Sequence, residues 1–310
     1  MGFDQEPLQN PSRDQSIDLH IHSTASDGSL SPFEIVAAAA EAGLAAISIT
    51  DHDSIDGCRQ LIESPRPLPL NFLTGVEISS AMPAGFSLGG SLHILGYDVD
   101  INNDRLTRSL AEQQAARNHR SPKIIERLND LGISLSPEDV YPFARGNQIG
   151  RPHIARAMIR LGVVNTIEEA FDLYIGRQGP AYVDKARIPC DQAMELIRKA
   201  GGVPVLAHPG LIPTRNIDEL ESLLNLLQEM GLKGLEVFYP DHSAGQVEAY
   251  RELAARYHLL LTGGSDFHGA LNPHIKLGRG AGDLFVSYTL YKDLIAHNRG
   301  TMTPGPDIKS

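Results

Sequence analysis

The sequence predicts an α/β fold in which parallel strands alternate with helices. Two observations support this prediction for the chain of 310 residues. Short apolar runs alternate with helical patterns from residue 16 to about residue 100, and the alternation returns after residue 183. Parallel strands joined by crossover helices are the economical arrangement for such a pattern. The stretch between these two parts carries only helical periodicity. We therefore expect one α/β domain formed by residues 15–100 and 183–301, interrupted by a helical insertion over residues 101–182.

Seven apolar, β-branched runs predict buried strands, because each is short and ends in a polar residue or a turn. They cover residues 16–22, 45–52, 71–79, 91–97, 203–208, 234–239 and 259–268. Ser31, Pro32 and Glu34 form a helix start, and Gly43 follows as a helix end. Further helices are expected over residues 191–200 and 217–230. The insertion should contain helices over residues 105–131, 138–143, 153–161 and 167–174.

The composition limits the possible functions. With 42% hydrophobic and 21% charged residues, the chain has the composition of a soluble globular protein. The net charge of −11 argues against a broad basic surface for long nucleic acid, but it is compatible with a local site for a small phosphorylated substrate. No apolar run approaches the ~18 residues of a membrane span, and the N-terminus lacks signal-peptide character. We expect a cytoplasmic protein with two reduced thiols, no membrane contact and no obligate protein partner.

The histidines predict a metal site. The chain has twelve histidines and no tryptophan. His20 and His22 are two residues apart in a predicted strand, so both imidazoles should lie on one face. Six histidines and three carboxylates fall in or just after predicted strands: His20, His22, His52, His93, His208, His268, Asp27, Glu77 and Asp266. Strand ends of a parallel barrel form its active-site face, whereas isolated core histidines would not collect there.

These positions belong to motifs that resemble a known family. DLHIHSTASDG, ITDHDSIDG, GVEIS, LHILGYD, VLAHPG and GSDFH occur in this order between residue 18 and residue 268. They resemble the successive motifs of the PHP (polymerase and histidinol phosphatase) superfamily of metal-dependent phosphoesterases. The helical insertion is similar to that of a branch that includes nucleoside 3′,5′-bisphosphate phosphatases and TrpH-like 5′→3′ exoribonucleases. The resemblance implies a distorted (β/α)7 barrel with a trinuclear metal site.

The same resemblance implies a division of the ligands among three ions. It assigns His20, His22, Glu77 and Asp266 to the first ion. Glu77 should bridge to a second ion completed by His93 and His208, and Asp27, His52 and His268 should hold the third. Imidazole and carboxylate ligands without thiolate suit divalent manganese, expected here first, or iron or zinc. The nucleophile should be a metal-bridging hydroxide rather than a side chain.

Two carboxylates next to His52 are candidates for a supporting role. Asp51 and Asp53 flank this histidine. A histidine that binds a metal usually donates its other N–H to a carboxylate or carbonyl, which either residue could provide. The alternative is that they cap the turn after the strand.

The insertion contains candidate substrate-binding residues. Arg117 and Arg120 are three residues apart on one predicted helix, and Arg151 and His153 begin another. Both segments resemble motifs that the phosphoesterase branch uses to hold its substrate, and arginine suits bidentate contact with phosphate. The alternative is a pair of solvated basic helix faces. His242 follows a predicted strand and could line the rim of the site.

These features predict a hydrolase that removes phosphate from a small nucleotide, such as a 3′,5′-bisphosphate or AMP. One alternative is a 5′→3′ exoribonuclease that acts on short RNA with the same metal site. Others are a non-catalytic PHP module associated with a polymerase and a deaminase or amidohydrolase. The complete ligand set argues against the non-catalytic module, and the phosphate-matching arginines argue for phosphorus chemistry.

Overall fold

The computed structural model describes residues 15–86, 92–143, 149–184 and 187–301, with the side chains of residues 117, 118 and 301 outside the description. The first half contains β1 (Asp18–Ile21), α1 (Pro32–Glu41), β2 (Ala46–Ile49), α2 (Asp56–Ile62), β3 (Asn71–Ala81), β4 (Leu92–Tyr97), α3 (Asp104–Asp130) and α4 (Pro137–Val140). The second half contains α5 (Arg151–Arg160), α6 (Ile167–Ala170), β5 (Ile188–Pro189), α7 (Cys190–Lys199), β6 (Val203–Leu206), α8 (Ile217–Glu229), β7 (Gly234–Phe238), α9 (Ala244–Arg256), β8 (Leu260–Gly263) and α10 (Tyr288–Thr301).

The strands form one curled sheet. Its order is β1-β2-β3-β4-β6-β7-β8, and the short β5 pairs with β3. The two edges meet where the His22 N–H donates to the Phe267 carbonyl at 2.9 Å. The seven expected strands are all present, and the prediction of a distorted (β/α)7 barrel is confirmed. The sequence analysis did not predict the strand β5 or the helices α2, α9 and α10, although Ser243 and Gln246 form a capping box at the start of α9.

The expectation of parallel strands is wrong for β4, which runs antiparallel to both β3 and β6. Only residues 82–91 separate β3 from β4, and a parallel pair needs a crossover of about a dozen residues or more. The reversal has a consequence for the site. His93, near the start of β4, lies opposite Ser79 near the end of β3. It therefore reaches the same sheet edge as the C-terminal ends of the parallel strands.

Apolar packing fixes both faces of the sheet. Ile94 and Leu95 are consecutive in β4 and belong to two different buried clusters, as the strand period of two requires. The first cluster also contains the inner faces of α1, α7, α8 and α9, and the second includes Leu294 of α10.

The expected helices of the insertion are present, and they share a third cluster. Ile124 and Leu128 of α3 pack with Ile154 and Met158 of α5 in this cluster, whereas Leu106 of α3 packs in the barrel core. Because α3 contributes to both cores, the division at residues 101–182 stays a prediction. Within the described ranges, no helix combines the length and apolarity needed to cross a lipid bilayer.

Candidate metal centre

The nine histidines and carboxylates that the sequence singles out lie together at one end of the barrel, around Glu77. This glutamate points from β3 and is fully buried. Its two oxygens lie within 3.5 Å of five imidazoles. Oε2 lies 3.5 Å from His20 Nε2, 3.3 Å from His22 Nε2 and 2.8 Å from His52 Nδ1. Oε1 lies 2.8 Å from His93 Nδ1 and 3.0 Å from His208 Nε2.

Asp266 and Asp27 extend the cluster away from Glu77. Asp266 Oδ1 lies 3.0 Å from His22 Nε2 and 3.6 Å from His268 Nδ1. Asp27 Oδ1 lies 3.5 Å from His268 Nε2. Asp266 and His208 have φ angles of 53° and 28°, a left-handed region that residues other than glycine rarely adopt. Such strain persists only where the surroundings impose it, and it is concentrated at functional sites.

Three groups of ligand atoms are close enough to hold one ion each. They are His22, Asp27, His52 and His268; His20, His22 and Glu77; and His52, Glu77 and His93. The number of groups, three, equals the number of ions that the family resemblance implies. His22 and His52, however, each belong to two groups, whereas the resemblance assigns His22 to the first ion alone and His52 to the third ion alone. The division of ligands therefore stays a prediction.

The donor atoms themselves fit a cation. Several are buried and make no hydrogen bond of acceptable geometry in the described structure, even where an oppositely charged group is close, namely His20 Nε2, both ring nitrogens of His22, Asp27 Oδ1, His52 Nδ1, Glu77 Oε2 and His208 Nδ1. Leaving one buried polar atom unsatisfied costs about 1–3 kcal/mol, so a cluster of them needs compensation. Divalent ions would satisfy the carboxylate oxygens and one ring nitrogen of each neutral imidazole, which supports metal binding at this site.

The electrostatics keep the carboxylates ionised. Burial alone would raise the pKa of Glu77, but electrostatic interaction with the imidazoles of His52, His93 and His20 outweighs burial, and the pKa lies well below its usual range. Asp27 and Asp266 behave in the same way for the same reason. Burial lowers the pKa of His52 to about 4 against the opposing effect of Glu77, so its imidazole is neutral, the form that binds metal.

Glu236 is a functional residue that the sequence analysis missed. It is fully buried in β7, and its Oε1 lies 2.9 Å from His20 Nδ1. Its Oε2 accepts the backbone N–H of His208 at 2.7 Å. Glu236 therefore turns Nε2 of His20 toward Glu77 and Asp266, and it holds the strained backbone of His208. The signal was present as one acid inside the apolar run at residues 234–239.

The two carboxylates next to His52 bind backbone and serine groups. Asp51 accepts the N–H and the hydroxyl of Ser23, each at 2.7 Å, and the Ser26 hydroxyl at 2.6 Å. It thereby fixes the loop that leads to Asp27. Asp53 accepts the Ser79 N–H at 2.7 Å. These contacts join the segment around His52 to the loop after β1 and to β3, and none of them caps the turn after β2. A direct role of either carboxylate toward a ligand histidine stays a prediction.

A basic cavity of about 250 Å³ adjoins the metal centre. Asp27, His52 and His93 line one side, and the other side contains Arg120, Arg151 and Arg187, the last of which the sequence analysis missed. We call it the arginine cavity. Arg117 is the third arginine that the sequence predicts at the substrate, and its side chain lies outside the described residues.

The arginines are half-buried rather than solvated. Arg120 Nε donates to the Val183 carbonyl at 2.7 Å, while its Nη2 is buried without a hydrogen-bond partner. Burial, with the nearby charge of Arg151, lowers the pKa of Arg120 to about 10. Arg151 donates to the Ile175 carbonyl at 3.2 Å, and its guanidinium lies 5.0 Å from the centre of the Phe171 ring. A bound anion would relieve this concentration of like charge.

The two remaining candidate histidines are buried and satisfied by the fold. His153 Nδ1 accepts the N–H of Gly150 at 3.1 Å, which caps the start of α5. A substrate contact for His153 stays a prediction. His242 Nδ1 bonds to the Val237 carbonyl at 2.9 Å, and its Nε2 accepts the Gly210 N–H at 3.2 Å. His242 therefore supports the loop after β6 and does not line the rim.

Comparison with known proteins agrees with this site. The PHP domain family model matches residues 18–148. The chain is 34% identical over 265 residues to the 5′-3′ exoribonuclease Rnm of Escherichia coli, which covers 84% of this chain and 88% of that one. It is 30% identical over 262 residues to a 3′,5′-nucleoside bisphosphate phosphatase of Chromobacterium violaceum, at 82% and 87% coverage.

A solved structure from Bifidobacterium adolescentis, described as a candidate metal-dependent phosphoesterase, has a TM-score of 0.78 at 30% identity and covers 95% of this chain and 98% of that one. The sequence match, the shared architecture and the histidine and carboxylate cluster at the strand ends all lead to the same assignment. The chain belongs to the PHP family of metal-dependent phosphoesterases.

Proposed function

We propose that the enzyme hydrolyses the phosphate ester on the 3′-oxygen of a nucleotide that also carries a 5′-phosphate. The observation that supports this most strongly is the arginine cavity, where Arg120, Arg151 and Arg187 face Asp27, His52 and His93. Such a cavity suits a substrate with two phosphates, one held by the arginines and the other at the metal centre. AMP has one phosphate and could not fill both positions.

The chain's own residues would position the substrate. The arginines bind the 5′-phosphate through charge-assisted hydrogen bonds, which fixes the distance from that phosphate to the reacting one. The nine clustered side chains would hold up to three divalent ions, with manganese expected first and iron or zinc as alternatives. When bound, such ions stabilise charge on phosphoryl oxygens and lower the pKa of coordinated water. In the overall reaction, a water oxygen adds to phosphorus, the P–O3′ bond breaks, and a proton goes to the 3′-oxygen.

Two substrates share this arrangement of phosphates. The first is the 5′-phosphorylated end of a short RNA, where the 3′-linked phosphate belongs to the next nucleotide. The similarity to the Escherichia coli protein named as a 5′-3′ exoribonuclease supports this choice of substrate. The net charge of −11 favours short over long RNA.

The second substrate is a nucleoside 3′,5′-bisphosphate. The similarity to the protein named as a 3′,5′-nucleoside bisphosphate phosphatase supports this second choice of substrate. Hydrolysis would then release inorganic phosphate and a nucleoside 5′-phosphate by breaking the same P–O3′ bond.

The test is a substrate panel on manganese-loaded enzyme. It compares a triribonucleotide with and without a 5′-phosphate, a nucleoside 3′,5′-bisphosphate, AMP and p-nitrophenyl phosphate. Removal of the 5′-phosphate should lower kcat/KM about ten- to a hundredfold, because hydrogen bonds to a charged group contribute about 1.5–3 kcal/mol. Equal rates with and without the 5′-phosphate would contradict the proposal.

A further inference from the structure

A second cavity, of about 310 Å³, reaches the metal centre from another side. It shares Asp27 and Pro152 with the arginine cavity, but it faces Asp266 and His268 instead of His52 and His93. A substrate whose reacting phosphate lies at the metal centre can therefore extend into both cavities. We call this one the carboxylate cavity.

The two cavities differ in charge. The arginine cavity contains three guanidinium groups, whereas the described lining of the carboxylate cavity includes no lysine or arginine. In addition to the metal-centre carboxylates, the carboxylate cavity has two acids, Asp241 and Glu168. A second phosphate would be repelled there. A neutral group with hydroxyl donors would be accepted, because ionised carboxylates are acceptors only.

The remaining lining residues suit a nucleobase. Pro240, Leu271 and Ile275 provide apolar surface, and Asn272 and His274 provide polar contacts at the same cavity. His274 is exposed at the rim, where an imidazole can stack on a base. Asp241 is exposed and has no hydrogen-bond or ion-pair partner among the described residues, so its oxygens are open to a ligand. Apolar surface with carboxylate acceptors is the chemistry that fits a ribonucleoside.

We propose that the carboxylate cavity binds the nucleoside on the 5′-oxygen side of the reacting phosphate, with Asp241 accepting a hydrogen bond from its ribose 2′-hydroxyl. The inference rests on the proposed function and deepens it, because it makes an RNA diester a better substrate than the bisphosphate. Water adds to phosphorus, the P–O3′ bond breaks, and the phosphate stays on the 5′-oxygen of the bound nucleoside. The shortened chain then carries the 5′-phosphate that the arginine cavity requires.

The experiment compares a 5′-phosphorylated diribonucleotide with the matching nucleoside 3′,5′-bisphosphate. The ratio of their kcat/KM values is measured for the manganese-loaded wild type, for Asp241→Asn, and for the control Asp283→Asn, an exposed acid outside both cavities. We expect the wild type to prefer the diribonucleotide about tenfold and Asp241→Asn to lose most of that preference, as expected for one hydrogen bond to a charged group. The control should keep it, and the metal content of all three proteins should be equal.

A modified substrate tests the contact itself. Removing the 2′-hydroxyl of the second nucleoside should slow the wild type about tenfold and cause little further loss in Asp241→Asn, because the two changes remove one interaction. Equal losses in both proteins, or equal ratios in Asp241→Asn and Asp283→Asn, would overturn the inference while leaving the proposed function intact. If the wild type breaks the P–O3′ bond of neither substrate, the proposed function fails, and this inference fails with it.

Discussion

The metal centre and the arginine cavity adjoin each other, yet the fold holds them in different ways. The centre is built from strand ends, and His20, His22 and Glu77 have no exposed surface. The arginines come from helices and a loop, where Arg120 and Arg151 are half-buried and anchored to single carbonyl oxygens. Side chains at a functional site are held in place by packing and by supporting hydrogen bonds, and the buried centre has more of both than the half-buried arginines. Substitutions in the metal centre should therefore abolish the reaction, whereas substitutions in the arginine cavity should weaken substrate binding.

The largest expected effect comes from removing the metal ions. Chelation should abolish hydrolysis, and manganese or a similar divalent ion should restore it, because a coordinated water loses its proton far more readily at neutral pH than a free one. The measurement is activity together with elemental analysis of the same samples. Active protein that contains only trace metal would contradict the assignment of the centre.

Within the centre, Glu77 should be more important than His52. Glu77 lies within 3.5 Å of five imidazoles and is fully buried, whereas His52 belongs to two ligand groups but is partly exposed and contributes one neutral ring. Glu77→Ala should therefore lose more metal per protein than His52→Ala, as measured by mass spectrometry of the ions. An equal loss of all ions in both variants would show that the cluster behaves as a single unit.

A substitution at Glu236 tests whether residues that hydrogen-bond to the metal ligands contribute to metal affinity. Glu236→Gln keeps the shape but removes the charge that orients His20 at 2.9 Å. We expect metal affinity to fall about 10- to 100-fold, the usual effect of losing such a supporting carboxylate. Competition with a chelating dye measures it, and Glu248→Gln, an exposed change on α9, is the control. Unchanged affinity would mean that the strand alone orients His20.

The arginine cavity should show the opposite pattern. Arg151→Ala should keep its metal content and lose about ten- to a hundredfold in kcat/KM on nucleotides with a 5′-phosphate. p-Nitrophenyl phosphate lacks the second phosphate and should be affected less. Arg160→Ala on the same helix is the matched control, because Arg160 pairs with Asp139 at 2.9 Å and lies outside the cavity. Equal losses on both substrates would place Arg151 at the reacting phosphate or in the fold.

The smallest effect concerns stability. In metal-free protein, sulfate should raise the melting temperature by a few degrees, since an anion at ten times its Kd contributes about 1.4 kcal/mol. The physical reason is the repulsion among Arg120, Arg151 and Arg187, which a bound anion relieves. Thermal denaturation of Arg151→Ala should show a smaller shift than that of Arg160→Ala. Identical shifts would mean that sulfate binds elsewhere.

Local patterns along the chain were enough to predict the strands and the residues that end them. A strand has a side-chain period of two and a barrel has one active end, so positions such as His20, His22 and Asp266 could be predicted to meet without any contact being known. The helices of the insertion were also predictable from local periodicity and caps. These properties depend on neighbours within a few residues along the chain.

Features that depend on contacts between distant segments became visible only in the folded molecule. Tertiary packing reversed β4 so that His93 reaches the centre, placed Glu236 behind His20, and brought Arg187 beside Arg120 and Arg151. It also divided the surroundings of the centre into one basic and one acidic cavity. Local patterns record which residues can share a face, but the direction of a long side chain and the element opposite it are set by packing between segments far apart in the chain.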